Sequence, residues 1–125
     1  MWICMSDGFV SAVQDHDDPS RLAVRARKRE HLERLFPGHE IVTTPDRDYA
    51  ARVFVSREEF AKVVAERIAN IGYDNFKDSV ADRRLHDLYL DFWTLHWRYQ
   101  NEAKAPGLAR QPSWGSGDPE LDRGD

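Results

Sequence analysis

The feature that most constrains the fold is an aromatic segment from Asp82 to Gln100, in which apolar residues recur at intervals of three and four. That spacing is the period of an α-helix. The apolar stripe and the side chains that widen it are Leu85, Leu88, Phe92, Leu95 and Tyr99, with Tyr89, Trp93, His96 and Trp97. Large rings bury more area than aliphatic side chains, so we expect other elements to enclose this helix.

The composition predicts one domain with an ordinary core. The chain has 125 residues, of which 41% are hydrophobic and 32% are charged, and this length is enough for a single hydrophobic core. Its net charge of −4 gives no overall attraction to nucleic acid or to an anionic membrane. The charge is uneven, because residues 1–20 carry four Asp and no Lys or Arg, whereas residues 21–36 carry six Lys or Arg and two Glu.

The single cysteine, Cys4, can form no internal disulfide and no multi-thiolate zinc site, which indicates a reducing compartment. The first residues lack the cationic start and long apolar run of a signal peptide. Nothing approaches the roughly 20 apolar residues that a membrane span requires. We therefore expect a cytoplasmic protein.

Local patterns predict strands and helices that are grouped and do not alternate. Ser56, with Glu59 three residues later, is typical of a helix N-terminal capping box. Asp7-Gly8 between short apolar runs predicts an N-terminal β-hairpin. In chain order, the predicted elements are strands at 2–5, 9–13, 21–27, 40–44 and 49–55, and helices at 29–36, 56–71 and 82–100.

This order predicts an α+β fold, an antiparallel sheet of four to five short strands with two to three helices packed on one face. Residues 1–100 are expected to form the domain, and residues 101–125 a polar, disordered tail that contains the isolated Trp114. The pattern leaves open whether residues 74–80 form a separate turn or run into the last helix. Asp74 is the expected N-cap of that stretch.

A basic strand-to-helix segment is the most prominent polar feature. Its cations are Arg21, Arg25, Arg27, Lys28 and Arg29. They could contact a protein partner or nucleic-acid phosphates, although a strand that is half buried needs a polar outer face in any case. Tyr73 and Asn75, in a turn between two helices, are further candidate interaction residues.

The sequence contains no pattern that identifies a reaction. No two histidines lie four residues apart, no glycine-rich phosphate loop follows a strand, and no serine lies in a nucleophile motif. We therefore predict no catalytic residue, no cofactor and no metal site. An enzyme with a site near Tyr73, Asp82 and His86 stays open, because catalytic groups meet in space.

Several segments together resemble a group of small hypothetical bacterial proteins. They are MWI and DGFVSAV within residues 1–13, VRAR at 24–27, RVFVSREEF at 52–60 and YDNFKDSV at 73–80. The resemblance covers about residues 1–100. It implies a bacterial, cytoplasmic origin, and it carries over no activity and no functional residue.

The leading functional hypothesis is a small, non-catalytic interaction or regulatory domain that binds a protein partner or itself. Its basis is the charge asymmetry, which suits docking, and an apolar N-terminal hairpin with no polar face. The alternative is a nucleic-acid-binding module that uses the basic segment at 21–29. An enzyme is the second alternative.

Overall fold

Five strands form one antiparallel sheet in the part of the chain that the computed structural model describes, residues 1–102. The strands are β1 (Trp2–Met5), β2 (Gly8–Gln14), β3 (Arg21–Ala26), β4 (Val42–Thr43) and β5 (Ala51–Ser56). The helices in the same range are α1 (Arg29–Leu35), α2 (Arg57–Ala69) and α3 (Arg83–Gln100), with a 3₁₀ turn at Lys77–Ser79. The predicted α+β class and the predicted N-terminal hairpin are therefore confirmed.

The strand order in the sheet is β1-β2-β3-β5-β4. The hairpin pairs Met5 with Gly8 and Ile3 with Val10. β3 lies at the centre, antiparallel to β2 on one side and to β5 on the other. The two-residue strand β4 forms one edge, so the predicted strand at 40–44 is much shorter than expected.

Helices α1 and α2 cover one face of the sheet. Side chains alternate between the two faces of a strand, and the apolar members of β2, β3 and β5 on this face form the main core with both helices. The buried residues of this core are Val10, Ala12, Val24, Ala26, Leu32, Leu35, Phe36, Ala51, Val53, Val55 and Phe60. These are the positions that period-2 and period-3.6 patterns select.

The helix ends follow the local chemistry of the sequence. Ser56 is the N-cap of α2, and its hydroxyl accepts a hydrogen bond of 3.1 Å from the backbone N–H of Glu59, as predicted. Three residues after the end of α1, Gly38 has a φ of 85°. Only glycine adopts that conformation without strain, so the chain reverses at this point.

Helix α3 packs on the opposite face, over the N-terminal hairpin. Trp2 and Phe9 project to this face, and their ring centroids lie 5.7 Å apart. Phe9, Val80, Leu85 and Tyr89 form a second, smaller buried cluster. Two helices therefore share one face, and the third lies on the other.

A separate turn precedes α3, which decides between the two structures considered for residues 74–80. Asp82 is the N-cap of α3, and its carboxylate accepts a 2.9 Å hydrogen bond from the N–H of Leu85. In the 3₁₀ turn, the side-chain oxygen of Asn75 accepts the N–H of Asp78 at 3.1 Å. The expected N-cap role of Asp74 is therefore wrong for this turn, and Asn75 supplies the acceptor.

The expectation that other elements enclose α3 is wrong for its second half. Except for Phe92, which is partly buried, the large apolar side chains from Leu90 onward are exposed: Leu90 by 41%, Trp93 by 53%, Leu95 by 46%, Trp97 by 49% and Tyr99 by 76%. The helix has 18 residues and is therefore about 27 Å long. Its buried residues, Leu85 and Tyr89, both lie in the first half, so the helix extends past the hairpin that supports it.

No helix among residues 1–102 is long and apolar enough to cross a membrane. The predicted tail, apart from its first two residues, and Trp114 lie outside the described residues.

Candidate interaction surface

A groove of about 900 Å³ opens between the β1–β2 hairpin, the start of α1 and the first half of α3. We use "the groove" for this pocket throughout. Its apolar wall consists of Trp2, Phe9, Leu85, Leu88 and Phe92, and its charged rim includes Arg27, Lys28, Glu30, Arg34, Asp82 and Arg84. The Phe9 and Phe92 ring centroids are 5.6 Å apart, so the aromatic part of the wall is continuous.

Tyr89 fixes the hairpin against α3 at one side of the groove. Its hydroxyl lies 2.9 Å from the carbonyl oxygen of Met5 and 2.9 Å from that of Gly8. The single hydroxyl proton is therefore shared between the two acceptors at the ends of the hairpin turn. Burial raises the pKa of Tyr89 far above its ordinary value, so the hydroxyl keeps this proton.

His31 closes the groove beneath the hairpin. Its Nδ1 accepts a hydrogen bond of 3.2 Å from the backbone N–H of Phe9, which places the ring proton on Nε2. A Cβ atom added at Gly8 would lie 3.0 Å from Cγ of His31, so glycine permits this close approach. Burial lowers the pKa of His31, so its neutral, accepting form is favoured.

Asp7, in the hairpin turn, joins the hairpin to both α1 and α2. Arg67 of α2 donates to the Asp7 carboxylate at 2.6 Å, and Arg34 of α1 donates to its carbonyl oxygen at 2.5 Å. Burial alone would raise the pKa of Asp7, but the hydrogen bond and charge of Arg67 outweigh it and lower the pKa. The carboxylate therefore stays charged, and the hairpin wall of the groove is held in place.

The predicted basic cluster does not form one surface. At one end of β3, Arg21 pairs with Asp15 at 2.6 Å and stacks over the ring of Phe54. Arg25, in the middle of the strand, is buried and donates to Ser11 at 2.7 Å. Because the middle of β3 is the centre of the sheet, a cation on this strand is covered by its neighbours.

Two residues of the cluster reach the groove, and a third turns away from it. Arg27 and Lys28 line the rim, and Arg27 lies 4.3 Å over the Tyr49 ring. Arg29 contacts the Thr43 hydroxyl of β4 at 3.2 Å instead. The sequence segment 21–29 is therefore divided among three parts of the surface.

Of the other candidate residues, Tyr73 and Asn75 lie apart from the groove. Tyr73 packs on Phe76 with 5.7 Å between ring centroids, and Asn75 lines a smaller pocket on the other side of α3. Asp82 lines the groove, whereas the His86 ring lies 3.3 Å from Asp87. Tyr73, Asp82 and His86 are thus not brought into one described pocket.

No group of three or more His, Cys, Asp or Glu side chains within residues 1–102 is arranged to hold a metal ion. The groove presents aromatic rings, guanidinium groups and carboxylates. An apolar centre with an arginine-containing polar rim is the usual anatomy of a protein–protein interface.

The groove is continuous with the exposed part of α3. Leu88 and Phe92 line the groove, and Leu95 and Tyr99 follow on the same side of the helix at spacings of three and four. We call these four residues the apolar stripe. Leu88, Leu95 and Tyr99 are exposed, and Phe92 is partly buried against the second cluster. Together the groove and the apolar stripe form a surface that runs the length of α3.

Sequence reasoning missed the groove because its residues come from distant parts of the chain. Trp2, His31 and Tyr49 meet only after the sheet has formed. The exposed apolar residues of α3 did carry a signal, since apolar side chains surround the helix. Periodicity does not show how much of a helix is covered.

Comparison of the chain with protein-family models, with curated proteins and with solved structures gives no match.

Proposed function

We propose that the protein is a small, non-catalytic interaction domain of the cytoplasm, which binds a protein partner or a second copy of itself. The binding surface is the groove together with the apolar stripe of α3. The observation that carries the proposal is the exposure of Leu88, Leu95 and Tyr99 on one side of α3, where they continue the apolar wall of the groove. Contiguous apolar surface of this kind on a small domain marks interaction sites.

The chemistry of the surface supports a protein ligand. Trp, Tyr and Arg are the residues that contribute most to protein interfaces, and this surface presents Trp2, Tyr99 and Arg84. Acidic side chains, among them Glu30 and Asp82, alternate with the cations of the rim. A rim of both signs suits the mixed charges of a protein surface better than a polyanion.

The test is capture by the full chain immobilised on a resin, with bacterial host lysate and separately with the purified protein as prey. We expect a variant with Leu88, Leu95 and Tyr99 all changed to Ser to lose the captured protein. These side chains are exposed, so the free energy of unfolding should change by less than about 0.5 kcal/mol per site. Unfolding is measured for every variant.

The matched control is a triple change to Ser at Glu58, Lys62 and Glu66, which are exposed residues of α2, on the other face of the sheet from α3. It should capture as the wild type does. Equal capture by the α3 variant and the wild type would contradict the proposal. So would a wild type that captures no protein, neither from the lysate nor from the purified protein.

One observation favours the nucleic-acid alternative. Arg27 and Lys28 line the groove together with Trp2, whose side chain is 51% exposed, and single-stranded nucleic acids bind where bases can stack beside cations. This alternative expects binding of a labelled oligonucleotide that weakens steeply with salt. It also expects that nuclease treatment of the lysate removes the captured protein.

A further inference from the structure

We infer that α3 pairs with α3 of a second copy of the chain, antiparallel, through the apolar stripe. This inference rests on the proposed function, because it names the partner that the same surface binds. The order of apolar residues on the helix and two charges beside them support it.

The apolar stripe has the spacing of a helix–helix seam. Leu88, Phe92, Leu95 and Tyr99 are separated by four, three and four residues, which is the alternation that lets two helices interlock their side chains. Leu85 continues the seam toward the N-terminus but is buried inside the domain. The part of the seam that a second helix can reach therefore begins at Leu88.

Trp93, an apolar residue on the other side of α3, already contacts other parts of the same domain. Trp93 lies on that side, and the Lys77 ammonium sits 4.6 Å from its ring centroid. Trp93 also lines the smaller pocket with Phe76 and His96. The residues that flank Trp93 and Trp97 there include Asp87 and Thr94, which offer no pair of opposite charges.

From Leu88 onward, the flank of the apolar stripe carries one acid and one base, Asp91 and Arg98. Both are exposed, and within residues 1–102 no ion pair to either is formed. They are seven residues apart, so they lie on the same flank, about 10 Å apart along the helix axis. That separation is too long for a direct bond within one helix.

An antiparallel pairing brings these charges together. If Phe92 packs against Leu95 of the second copy, the two-fold symmetry also sets Leu95 against its Phe92 and Leu88 against its Tyr99. On the flank, the same register places Asp91 beside Arg98 of the second copy, and this contact occurs twice. In a parallel pairing, Asp91 of one copy and Arg98 of the other would stay about two helical turns apart along the axis.

The pairing also accounts for the groove beside Leu88. Tyr99 of the second copy would cover Leu88 at the mouth of the groove, next to the Trp2 ring. The contact spans about three turns of each helix, so we expect a weak dimer that forms reversibly. Its population should rise over a concentration series.

The test is sedimentation of the full chain as the wild type, as Asp91→Arg and as Arg98→Asp, each over the same concentration series. The first variant places two cations side by side in both contacts, and the second places two carboxylates side by side. Each should raise the concentration of half-dimerisation at least about tenfold, because like charges in contact oppose association. Glu66→Arg, an exposed residue of α2, changes the charge of the chain and should leave dimerisation unchanged.

Mixing the two variants distinguishes this register from other arrangements. In a mixed dimer, the arginine introduced by Asp91→Arg in one chain meets the aspartate introduced by Arg98→Asp in the other. The unchanged Asp91 and Arg98 meet in the second contact, so both contacts are again of opposite charge. We expect the mixture to dimerise as the wild type does, with the heterodimer identified by native mass spectrometry. A chain that carries both substitutions should dimerise as well.

A wild type that stays monomeric throughout the series would overturn the inference, and so would single variants that dimerise normally or a mixture that stays monomeric. These results are separate from those of the capture test. If the wild type is monomeric but the α3 triple variant still loses a captured lysate protein, the pairing is wrong and the proposed function stands. If neither dimerisation nor capture is found, both are wrong.

Discussion

His31 couples the position of the hairpin to its own protonation state. The ring accepts the N–H of Phe9 and can do so only while Nδ1 carries no proton. Protonation of Nδ1 would break this hydrogen bond. Because the Gly8 backbone lies against the ring, a movement of the hairpin away from His31 would open the groove. The charged groups whose fields act on it are Arg34, Glu30, Asp7 and, from α3, Asp82.

We predict that stability falls as the pH drops below the ordinary histidine value of about 6.5. Because burial lowers the pKa of His31 in the fold, the unfolded chain binds a proton at higher pH than the folded chain does. Stability therefore rises with pH across this window and is lost as pH falls through it toward the lowered folded pKa. Urea unfolding over a pH series that spans the ordinary histidine pKa measures the slope of the free energy of unfolding against pH.

His31→Gln should reduce this slope, since glutamine does not titrate. His16→Gln is the matched control, because His16 is fully exposed and should leave the slope as it is. An unchanged slope in His31→Gln would show that other groups cause the pH dependence. The carboxylates of Asp7 and Asp82, whose pKa values are lowered, lose their contributions only at more acidic pH.

At the scale of elements, the attachment of α3 depends on few contacts. The Tyr89 hydroxyl reaches two carbonyl oxygens of the hairpin turn, and the rings of Phe9, Phe76 and Phe92 surround the Tyr89 ring. Removing the hydroxyl would leave those buried oxygens without its proton.

We predict that Tyr89→Phe lowers the free energy of unfolding by about 1–3 kcal/mol, the cost of a buried acceptor that loses its donor. Chemical denaturation measures it. Tyr99→Phe removes the same hydroxyl from an exposed side chain and should change stability by less than about 0.5 kcal/mol. Equal effects of the two changes would mean that the Tyr89 bonds contribute nothing.

Element types and their order were predictable because each rests on local chemistry. Neighbouring residues alone determine the Asp7-Gly8 turn, the Ser56 cap and the strand alternation of Leu22, Val24 and Ala26. The extent of β4 was not predictable, since only the pairing with Ala51 and Arg52 decides where it ends. The sequence also did not decide whether residues 74–80 form a separate turn or continue into α3. The hydrogen bonds of Asp82 and Asn75 that favour the separate turn form only in the folded chain.

At the scale of the whole molecule, the candidate surface depends on which sheet face each helix covers. The sequence predicted two to three helices on one face, and α1 and α2 lie there. The position of α3 on the other face creates the groove, and within residues 1–102 it leaves Leu88, Leu95 and Tyr99 of the apolar stripe exposed. The burial of Arg25 follows from the central place of β3 in the strand order, which alternation along one strand does not reveal.

The length of α3 has a consequence for how the molecule moves. Its first half is tied to the hairpin through Leu85 and Tyr89, whereas its last two turns depend on the hydrogen bonds of the helix itself. Short helical segments without tertiary support are marginally stable in water. The free end of α3 should therefore open and close many times for each global unfolding event.

Amide hydrogen exchange measures the difference in local stability between the two halves of α3. In dilute solution, the amides of residues 97–100 should exchange rapidly, and those of residues 87–92 should exchange at rates close to that of global unfolding. As the protein is concentrated, pairing would slow exchange at the end of the helix and leave the sheet unaffected. Uniformly slow exchange along α3 in dilute solution would show instead that its end is held by contacts within a single molecule.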